Sequence, residues 1–156
     1  MTVTYRRATS NDANALTRLR IEFLKEVQPA ETRQYSEVEL QVSLNEYFSK
    51  NLENEQFVAV LAVFDGEIIA TSGLCFFQIT PGFTLIDGRE AYILNIFTLP
   101  KWRGNGIGKR IFELILQEAI GRGYKRIALH ATDEGRPMYE KFGFKLSGDE
   151  MTLAIA

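Results

Sequence analysis

The segment from residue 92 to residue 119 constrains the fold more than any other part of the chain, and it reads YILNIFTLPKWRGNGIGKRIFELILQEA. Its apolar start predicts a strand over residues 91–98, which Pro100 ends. Glycines follow at 104, 106 and 108, and an amphipathic helix comes next. Backbone N–H groups in such a turn, and in the first turn of a helix, have no intrahelical partner, and the helix dipole adds positive charge. The sequence therefore predicts a pyrophosphate site in the loop from Arg103 to Gly108, with Arg103 and Lys109 at its edges.

The spacing of these glycines argues against two common phosphate-binding loops. A Walker loop needs a glycine five residues before the Gly-Lys pair and Ser or Thr after it, but here Arg103 and Arg110 stand at those places. The dinucleotide fingerprint needs Gly-x-Gly-x-x-Gly, and Lys109 stands where its third glycine belongs. A glycine-rich connection that binds no ligand stays open at this point.

Composition limits the remaining classes of function. With 156 residues, 46% of them hydrophobic and 24% charged, we expect a single compact domain over residues 1–156. A net charge of -2 gives no reason to expect a nucleic-acid or membrane partner. Cys75 is the only cysteine, which excludes an internal disulfide and a thiolate zinc cluster, and no metal is expected. The N-terminus lacks the apolar core of a secretory signal and no apolar run nears the roughly 20 residues of a membrane span, so we expect a cytoplasmic protein.

The predicted elements form an α/β fold of the α+β kind. Asp65-Gly66 is a strong signal for a two-residue hairpin, whereas the segment around the glycine loop is a strand-helix-strand crossover. This mixture predicts a mixed sheet flanked by helices. Strands are predicted at residues 3–7, 57–64, 67–78, 91–98, 126–130 and 150–155, and helices from about residue 9 to 28, 36–52, from the glycine loop to about 121, and 136–141.

Two ordered motifs resemble a known family. The run Arg103-x-x-Gly106-x-Gly108, between a strand and an amphipathic helix, resembles the acetyl-CoA signature of the GNAT superfamily of N-acetyltransferases. Residues 137–144, PMYEKFGF, look like the later motif of that superfamily, in which a Tyr near the cofactor sulfur precedes a Gly-Phe pair. The resemblance is close over residues 91–144, and residues 7–12 are also similar to the family.

The resemblance implies a fold and a donor site. The fold would be a GNAT-like, mostly antiparallel sheet whose central strands, the one through Asn95 and the one over residues 126–130, splay apart. Pantetheine would lie in the gap and bond to the backbone of Phe97 and Leu99. The residues expected to bind acetyl-CoA are Phe97, Thr98, Leu99, Arg103, Gly104, Asn105, Gly106, Ile107, Gly108 and Lys109.

The resemblance also implies a reaction, the transfer of an acetyl group from acetyl-CoA to a primary amine. Tyr139 is the expected catalytic acid, protonating the departing thiolate. No base is identified: Glu90, Asp133 and Glu134 lie near the predicted strand ends, and His130 is expected to pack or bond at the end of its strand. Asn95 cannot take a proton.

Several alternatives remain at the level of sequence. Cys75 lies in an apolar strand and is expected to be a buried small residue, not a nucleophile. Trp102 is expected to cover the start of the helix, and Thr132 or a water to replace an Asn that the family often has before its later motif. A non-catalytic CoA-binding or sensing domain and a transferase of longer acyl groups are alternative functions. The acceptor is unidentified, because residues 29–52 and 80–88 carry no signature, and a homodimer is expected only from base rates.

Overall fold

The computed structural model describes residues 2–155 of the chain. Its regular elements follow the predicted order up to the last helix. The strands are β1 (Thr4–Arg7), β2 (Phe57–Val58), β3 (Val60–Phe64), β4 (Glu67–Gln78), β5 (Arg89–Thr98) and β6 (Arg126–Leu129), and the helices are α1 (Ala13–Val27), α2 (Glu37–Glu53), α3 (Ile107–Gly121) and α4 (Arg136–Lys141).

The strands form one sheet in the order β1-β3-β4-β5-β6, with β2 paired to β4. All pairs are antiparallel except β5 with β6, which α3 connects as a crossover. The expected mixed, mostly antiparallel sheet flanked by helices is therefore confirmed.

Each face of the sheet carries its own apolar core. Helix α3 packs on one face, where Ile111, Phe112 and Ile115 are buried against strand residues such as Ile93. Helices α1 and α2 pack on the other face, where Leu16 and Phe48 join a second cluster. The two faces are hereafter called the α3 face and the α1/α2 face.

Local sequence signals explain where the helices and the hairpin begin. The Asp12 carboxylate accepts the N–H of Thr9 at 2.8 Å before α1. At the start of α2 the N–H of Glu39 donates to the Ser36 hydroxyl at 3.1 Å, and the N–H of Ser36 donates back to the Glu39 carboxylate at 2.8 Å. Asp65-Gly66, with φ of 50° and 77°, closes the β3–β4 hairpin in the left-handed conformation that such a turn requires.

The central strands β5 and β6 part halfway along β5. Their parallel pairing runs from Glu90–Arg126 to Ile93–Leu129 and stops there. Strand β5 continues to Thr98, paired with β4 alone, and a register shift between the two strands coincides with Asn95, whose φ is 61°. The expected splay is therefore present, and it leaves one edge of β5 unpaired after Ile93.

The prediction of a final strand over residues 150–155 is wrong. No strand is assigned there, and Met151, Leu153 and Ile155 are 94%, 82% and 83% exposed. These large apolar residues recur with the strand period of two, but no strand in the described residues pairs with them. Two apolar residues of the predicted second helix, Val38 and Val42, are likewise exposed. No helix within residues 2–155 is long and apolar enough to cross a membrane.

Candidate functional site

The loop between β5 and α3 presents a row of free backbone donors. After a 3-10 turn over Pro100–Trp102, Gly104 and Gly106 have φ of 81° and 76°, in the left-handed region that glycine adopts without strain. Within the described residues, the N–H groups of residues 104–109 have no hydrogen-bond acceptor, and the first N–H that is paired is that of Arg110, which donates to the Gly106 carbonyl at 3.1 Å. A Cβ placed on Gly104 or Gly106 would meet no atom within 4 Å.

This row of donors suits an anion. It lies at the N-terminus of α3, a helix of 15 residues, where the helix dipole contributes positive charge. Lys109 is exposed in the first turn, and no carboxylate in the described residues pairs with it. A diphosphate group would satisfy several of these N–H groups at once.

The side chain of Arg103 is already occupied. Its Nη2 donates to both carboxylate oxygens of Glu26 on α1, at 3.0 and 2.9 Å, and its Nε donates to the Thr98 carbonyl at 2.9 Å. The guanidinium also lies 5.5 Å from the centre of the Phe97 ring. Asn105 donates to the Trp102 carbonyl at 2.9 Å. Arg103 and Asn105 therefore hold the loop in shape through their side chains, and Arg103 ties it to α1.

The backbone hydrogen bonds at the end of β5 differ from those expected with pantetheine. The Leu99 N–H donates to the Ile69 carbonyl of β4 at 2.9 Å, and the Leu99 carbonyl accepts the N–H of Trp102 at 2.9 Å. Alternate residues of a strand direct their N–H and C=O to opposite sides, so Phe97 also faces β4 whereas Ile96 and Thr98 face the open edge. The expected pantetheine contacts through the backbone of Phe97 and Leu99 do not fit this pairing.

Tyr139 lies on α4, at the α3 face. Its ring packs against Phe112 of α3, with centroids 5.0 Å apart, and against Phe144 at 6.3 Å. Burial raises the pKa of the Tyr139 phenol above its ordinary value. Its hydroxyl donates to no described residue. The phenol is thus held by its ring, keeps its proton at neutral pH and has a free O–H.

Thr132 fixes the start of α4 through its hydroxyl and its carbonyl. Its hydroxyl accepts the N–H of Gly135 at 3.1 Å, and its carbonyl accepts that of Arg136 at 2.9 Å. A Cβ on Gly135 would lie 3.1 Å from the Tyr139 ring. The turn from Thr132 to Gly135 therefore sets where Tyr139 sits.

The candidate bases lie apart from one another. Glu90 lies opposite Arg126 in the strand register, at the end of the β5–β6 pairing away from the gap, and Asp133 and Glu134 are exposed. His130 follows the last residue of β6, and its Nδ1 shares a hydrogen bond with the hydroxyl of Tyr92. The expectation that His130 forms a bond at the end of its strand is confirmed.

Cys75, Trp102 and Asn95 are three further residues of interest, and each is at least partly buried. Burial raises the pKa of the Cys75 thiol, which disfavours the thiolate and agrees with a packing role. Trp102 packs on Phe64, with ring centroids 4.8 Å apart. Asn95 is 3% exposed, and neither polar atom of its side chain has a hydrogen-bond partner among the described residues. No group of three or more His, Cys, Asp or Glu between residues 2 and 155 could hold a metal ion.

Two residues of this region carry no local signal in the sequence. Glu26 is 77 positions from Arg103, and Tyr92 is 38 positions from His130, so each pair forms only through the fold. A cavity of about 540 Å³ lies beside the loop on the side of α1. It is lined by Glu22, Lys25, Glu26, Glu67, Phe97, Leu99, Pro100 and Lys101.

Known proteins share this architecture. Residues 21–144 match the model of the acetyltransferase (GNAT) family. The crystal structure of a predicted acetyltransferase with acetyl-CoA from Clostridium acetobutylicum superimposes with a TM-score of 0.87 and 31% identity, covering 98% of this chain and 96% of that one.

Two curated relatives match over part of their length. Glucosamine 6-phosphate N-acetyltransferase of Trypanosoma brucei brucei is 27% identical over 90 residues, which are 58% of this chain and 59% of the relative. Thialysine N-epsilon-acetyltransferase of Mus musculus is 25% identical over 87 residues, 56% of this chain and 48% of the relative. The matches thus span about half the length of these relatives. From the family match and the fold together, the chain belongs to the acetyltransferase (GNAT) family.

Proposed function

We propose that this protein transfers an acetyl group from acetyl-CoA to a primary amine. The observation that carries the proposal is the row of free N–H groups from residue 104 to residue 109, which follows the unpaired edge of β5 along the chain. In CoA a diphosphate is joined to pantetheine, an extended chain with two amide groups. The diphosphate matches the row of N–H groups, and pantetheine matches the strand edge. The C. acetobutylicum structure contains acetyl-CoA, and both curated relatives carry N-acetyltransferase names.

In this proposal the pyrophosphate accepts hydrogen bonds from the N–H groups of Gly104, Asn105, Gly106, Ile107 and Gly108, with Lys109 adding a charge. Pantetheine lies along the open edge of β5. Its amides pair with the backbone of Ile96 and with the N–H of Thr98, whose carbonyl accepts Arg103 Nε, whereas Phe97 and Leu99 contribute side-chain packing. Arg103 holds the loop against α1 through Glu26.

The chemistry follows from this placement. The amine nitrogen attacks the thioester carbonyl, the new C–N bond forms, and the C–S bond then breaks. The Tyr139 phenol gives its proton to the departing thiolate, and the tyrosinate regains a proton from solvent, which takes up the one that the amine loses. Because burial raises the pKa of Tyr139, the phenol is protonated and ready to donate throughout the neutral range.

We further propose that residues 1–156 form one N-acetyltransferase domain that works in the cytoplasm on an amine, without metal, nucleic acid or membrane as a partner. The net charge of -2 supports the part of this proposal that leaves out nucleic acid and anionic membrane as partners. A homodimer rests on base rates alone.

The test is calorimetric titration of acetyl-CoA into the protein and into the variants Gly108→Glu and Gly121→Glu. Gly108 has an ordinary φ, and a Cβ there would lie 3.6 Å from Thr98 Oγ1, so the fold should accept a side chain. The added carboxylate would repel the pyrophosphate, and we expect binding to weaken at least about 100-fold.

Gly121→Glu places the same charge at the other end of α3, in open space, and should bind as the wild type does. Consumption of the thioester with a panel of primary amines then tests transfer. Equal binding by both variants, or no heat with acetyl-CoA at millimolar concentration, would refute the donor site.

A further inference from the structure

Arg20 of α1 is a partly buried cation without a counter-ion. The other partly buried arginines, Arg89, Arg122 and Arg126, each donate a hydrogen bond to a described residue. Within residues 2–155 the guanidinium of Arg20 has neither a hydrogen-bond acceptor nor a carboxylate partner. Burial lowers its pKa, which is the sign of a charge that water solvates incompletely.

The position of Arg20 within α1 is also unusual for a charged residue. Leu16 and Leu24 flank it at spacings of four, so Arg20 stands in the apolar stripe of the helix. Phe23 in the next turn packs against Phe97 of β5, with ring centroids 5.6 Å apart. The side chain therefore lies on the side of α1 that covers the sheet.

Polar side chains of the α1/α2 face surround this position. Tyr47, Tyr92 and Cys75 are the titratable neighbours of Arg20, and burial raises the pKa of each, so none of them offers a negative charge at neutral pH. Cys75 and Tyr92 are directly opposed on β4 and β5, and Tyr47 packs on Phe57, which lies opposite Cys75.

The group around Arg20 reaches the gap between the central strands. Tyr92 immediately precedes Ile93, the last residue of β5 that pairs with β6, and its hydroxyl bonds to His130 just after β6. Alternation along β5 puts Tyr92 on the face opposite Ala91 and Ile93, which pack on the α3 face. A cation without a partner thus stands on the α1/α2 face near the point where the gap opens.

Arg20 also lines a cavity of about 450 Å³ below the α1–α2 connection. The other cations of this cavity are engaged: Lys25 pairs with Glu37 at 2.9 Å, and Arg33 donates to the Gln28 carbonyl at 2.8 Å. Arg20 is the cation of this cavity that is left to bind an incoming anion.

We propose that the acceptor amine carries a carboxylate or a phosphate, and that Arg20 binds this group from the α1/α2 face while the amine enters the gap. The inference rests on the proposed function and names the class of its second substrate. A guanidinium offers a planar fork of donors that matches two oxygens of either anion. A partly buried charge without a partner costs stability, and an anionic ligand would compensate that cost.

The experiment measures kcat/KM for matched pairs of amines that differ in one anionic group. L-lysine with cadaverine tests the carboxylate, and glucosamine 6-phosphate with glucosamine tests the phosphate. We expect the wild type to prefer the anionic member of at least one pair by about 10- to 100-fold. Arg20→Met should abolish the preference, and Arg20→Lys should keep part of it.

Arg18→Met is the matched control, because Arg18 lies on the same helix but is exposed. It should retain the preference of the wild type. Arg20→Met should bind acetyl-CoA normally and melt at the same temperature as the wild type or higher, since it removes a desolvated charge. Equal kcat/KM within both pairs, a preference that survives Arg20→Met, or unfolding of both Arg20 variants would overturn the proposal.

Loss of all turnover is a separate result. If acetyl-CoA binds but no amine is acetylated, the proposed function fails, and calorimetric titration of L-lysine and glucosamine 6-phosphate into the CoA complex decides the role of Arg20. Binding that Arg20→Met abolishes would support the anion site. No binding to the wild type would refute it.

Discussion

The carboxylate of Glu26 accepts two hydrogen bonds from one terminal nitrogen of Arg103, at 3.0 and 2.9 Å, and so fastens the glycine loop to α1. The Nε of Arg103 holds the Thr98 carbonyl at the same time. One side chain thereby joins the end of β5, the anion-binding loop and the helix that carries Arg20.

Removing this ion pair should loosen the donor site without changing the chemistry. For Glu26→Gln and Arg103→Met we expect the KM for acetyl-CoA to rise about two- to fivefold with little change in kcat, because an exposed pair contributes about 0.2–1 kcal/mol. Steady-state kinetics at saturating amine provides the measurement. Glu22→Gln, an exposed carboxylate one turn earlier on α1, should have no effect. A far larger effect of Arg103→Met than of Glu26→Gln would show that Arg103 contacts phosphate itself.

The hydroxyl of Tyr139 should matter for turnover and not for binding. Tyr139→Phe keeps the ring against Phe112, so we expect kcat to fall by about 10²- to 10⁴-fold with unchanged affinity for CoA. Because burial raises the pKa of Tyr139, the alkaline loss of activity should have its midpoint at a higher pH than that of an ordinary tyrosine. Tyr124→Phe, on the same face, is the control. Normal turnover by Tyr139→Phe would remove the residue from the mechanism, and a chain that binds CoA but acetylates no amine would be a sensor.

Asp12 should make stability depend on acid pH. The hydrogen bond from Arg6 lowers the pKa of Asp12 below its ordinary value, and the Thr9 N–H adds to this. A depressed pKa means that the stabilisation is complete above the pKa of the unfolded chain, about 3.9, and is lost as the pH falls through the folded value.

We therefore expect Asp12→Asn to lower the free energy of unfolding by about 1–2 kcal/mol at pH 7 and by less at pH 3. Urea unfolding at the two pH values makes the comparison. The same loss at both would show that the charge of Asp12 contributes nothing.

A methyl group on Gly73 should destabilise the sheet beside the gap. The new Cβ would lie 2.5 Å from the Phe57 ring and 3.2 Å from the Leu94 carbonyl, so ring or strand must shift. We expect Gly73→Ala to cost about 1–3 kcal/mol in urea unfolding. Gly82→Ala, where a Cβ meets nothing within 4 Å, should leave the midpoint unchanged. Equal midpoints for the two variants would contradict this packing.

Features set by neighbouring residues could be predicted from the sequence. The Asp65-Gly66 turn and the glycine loop depend on contacts within a few positions, and the structure has both turns where they were expected. The parting of β5 and β6 was also foreseen, but from resemblance to a family and not from the residues themselves.

Features that depend on tertiary pairing were missed. Residues 150–155 have the strand period, yet a strand also needs a partner, and periodicity does not supply one. Strand register pairs the Leu99 N–H with Ile69, and the fold brings Glu26 to Arg103, and neither contact has a signal in the sequence. Arg20 did leave a sign, since an arginine spaced by four from Leu16 and from Leu24 stands out in an apolar stripe.

The parting of the central strands also bears on how the molecule unfolds. Strand β6 is joined to the sheet by pairs over only four residues of β5, and no described strand covers its other edge. The amides of β6 and α4 should therefore exchange their hydrogens faster than those of β3 and β4, as a separate opening unit. A thioester lying in the gap would bridge the two units and slow that exchange. Binding of acetyl-CoA would thus make the two units open and unfold together, as one cooperative domain.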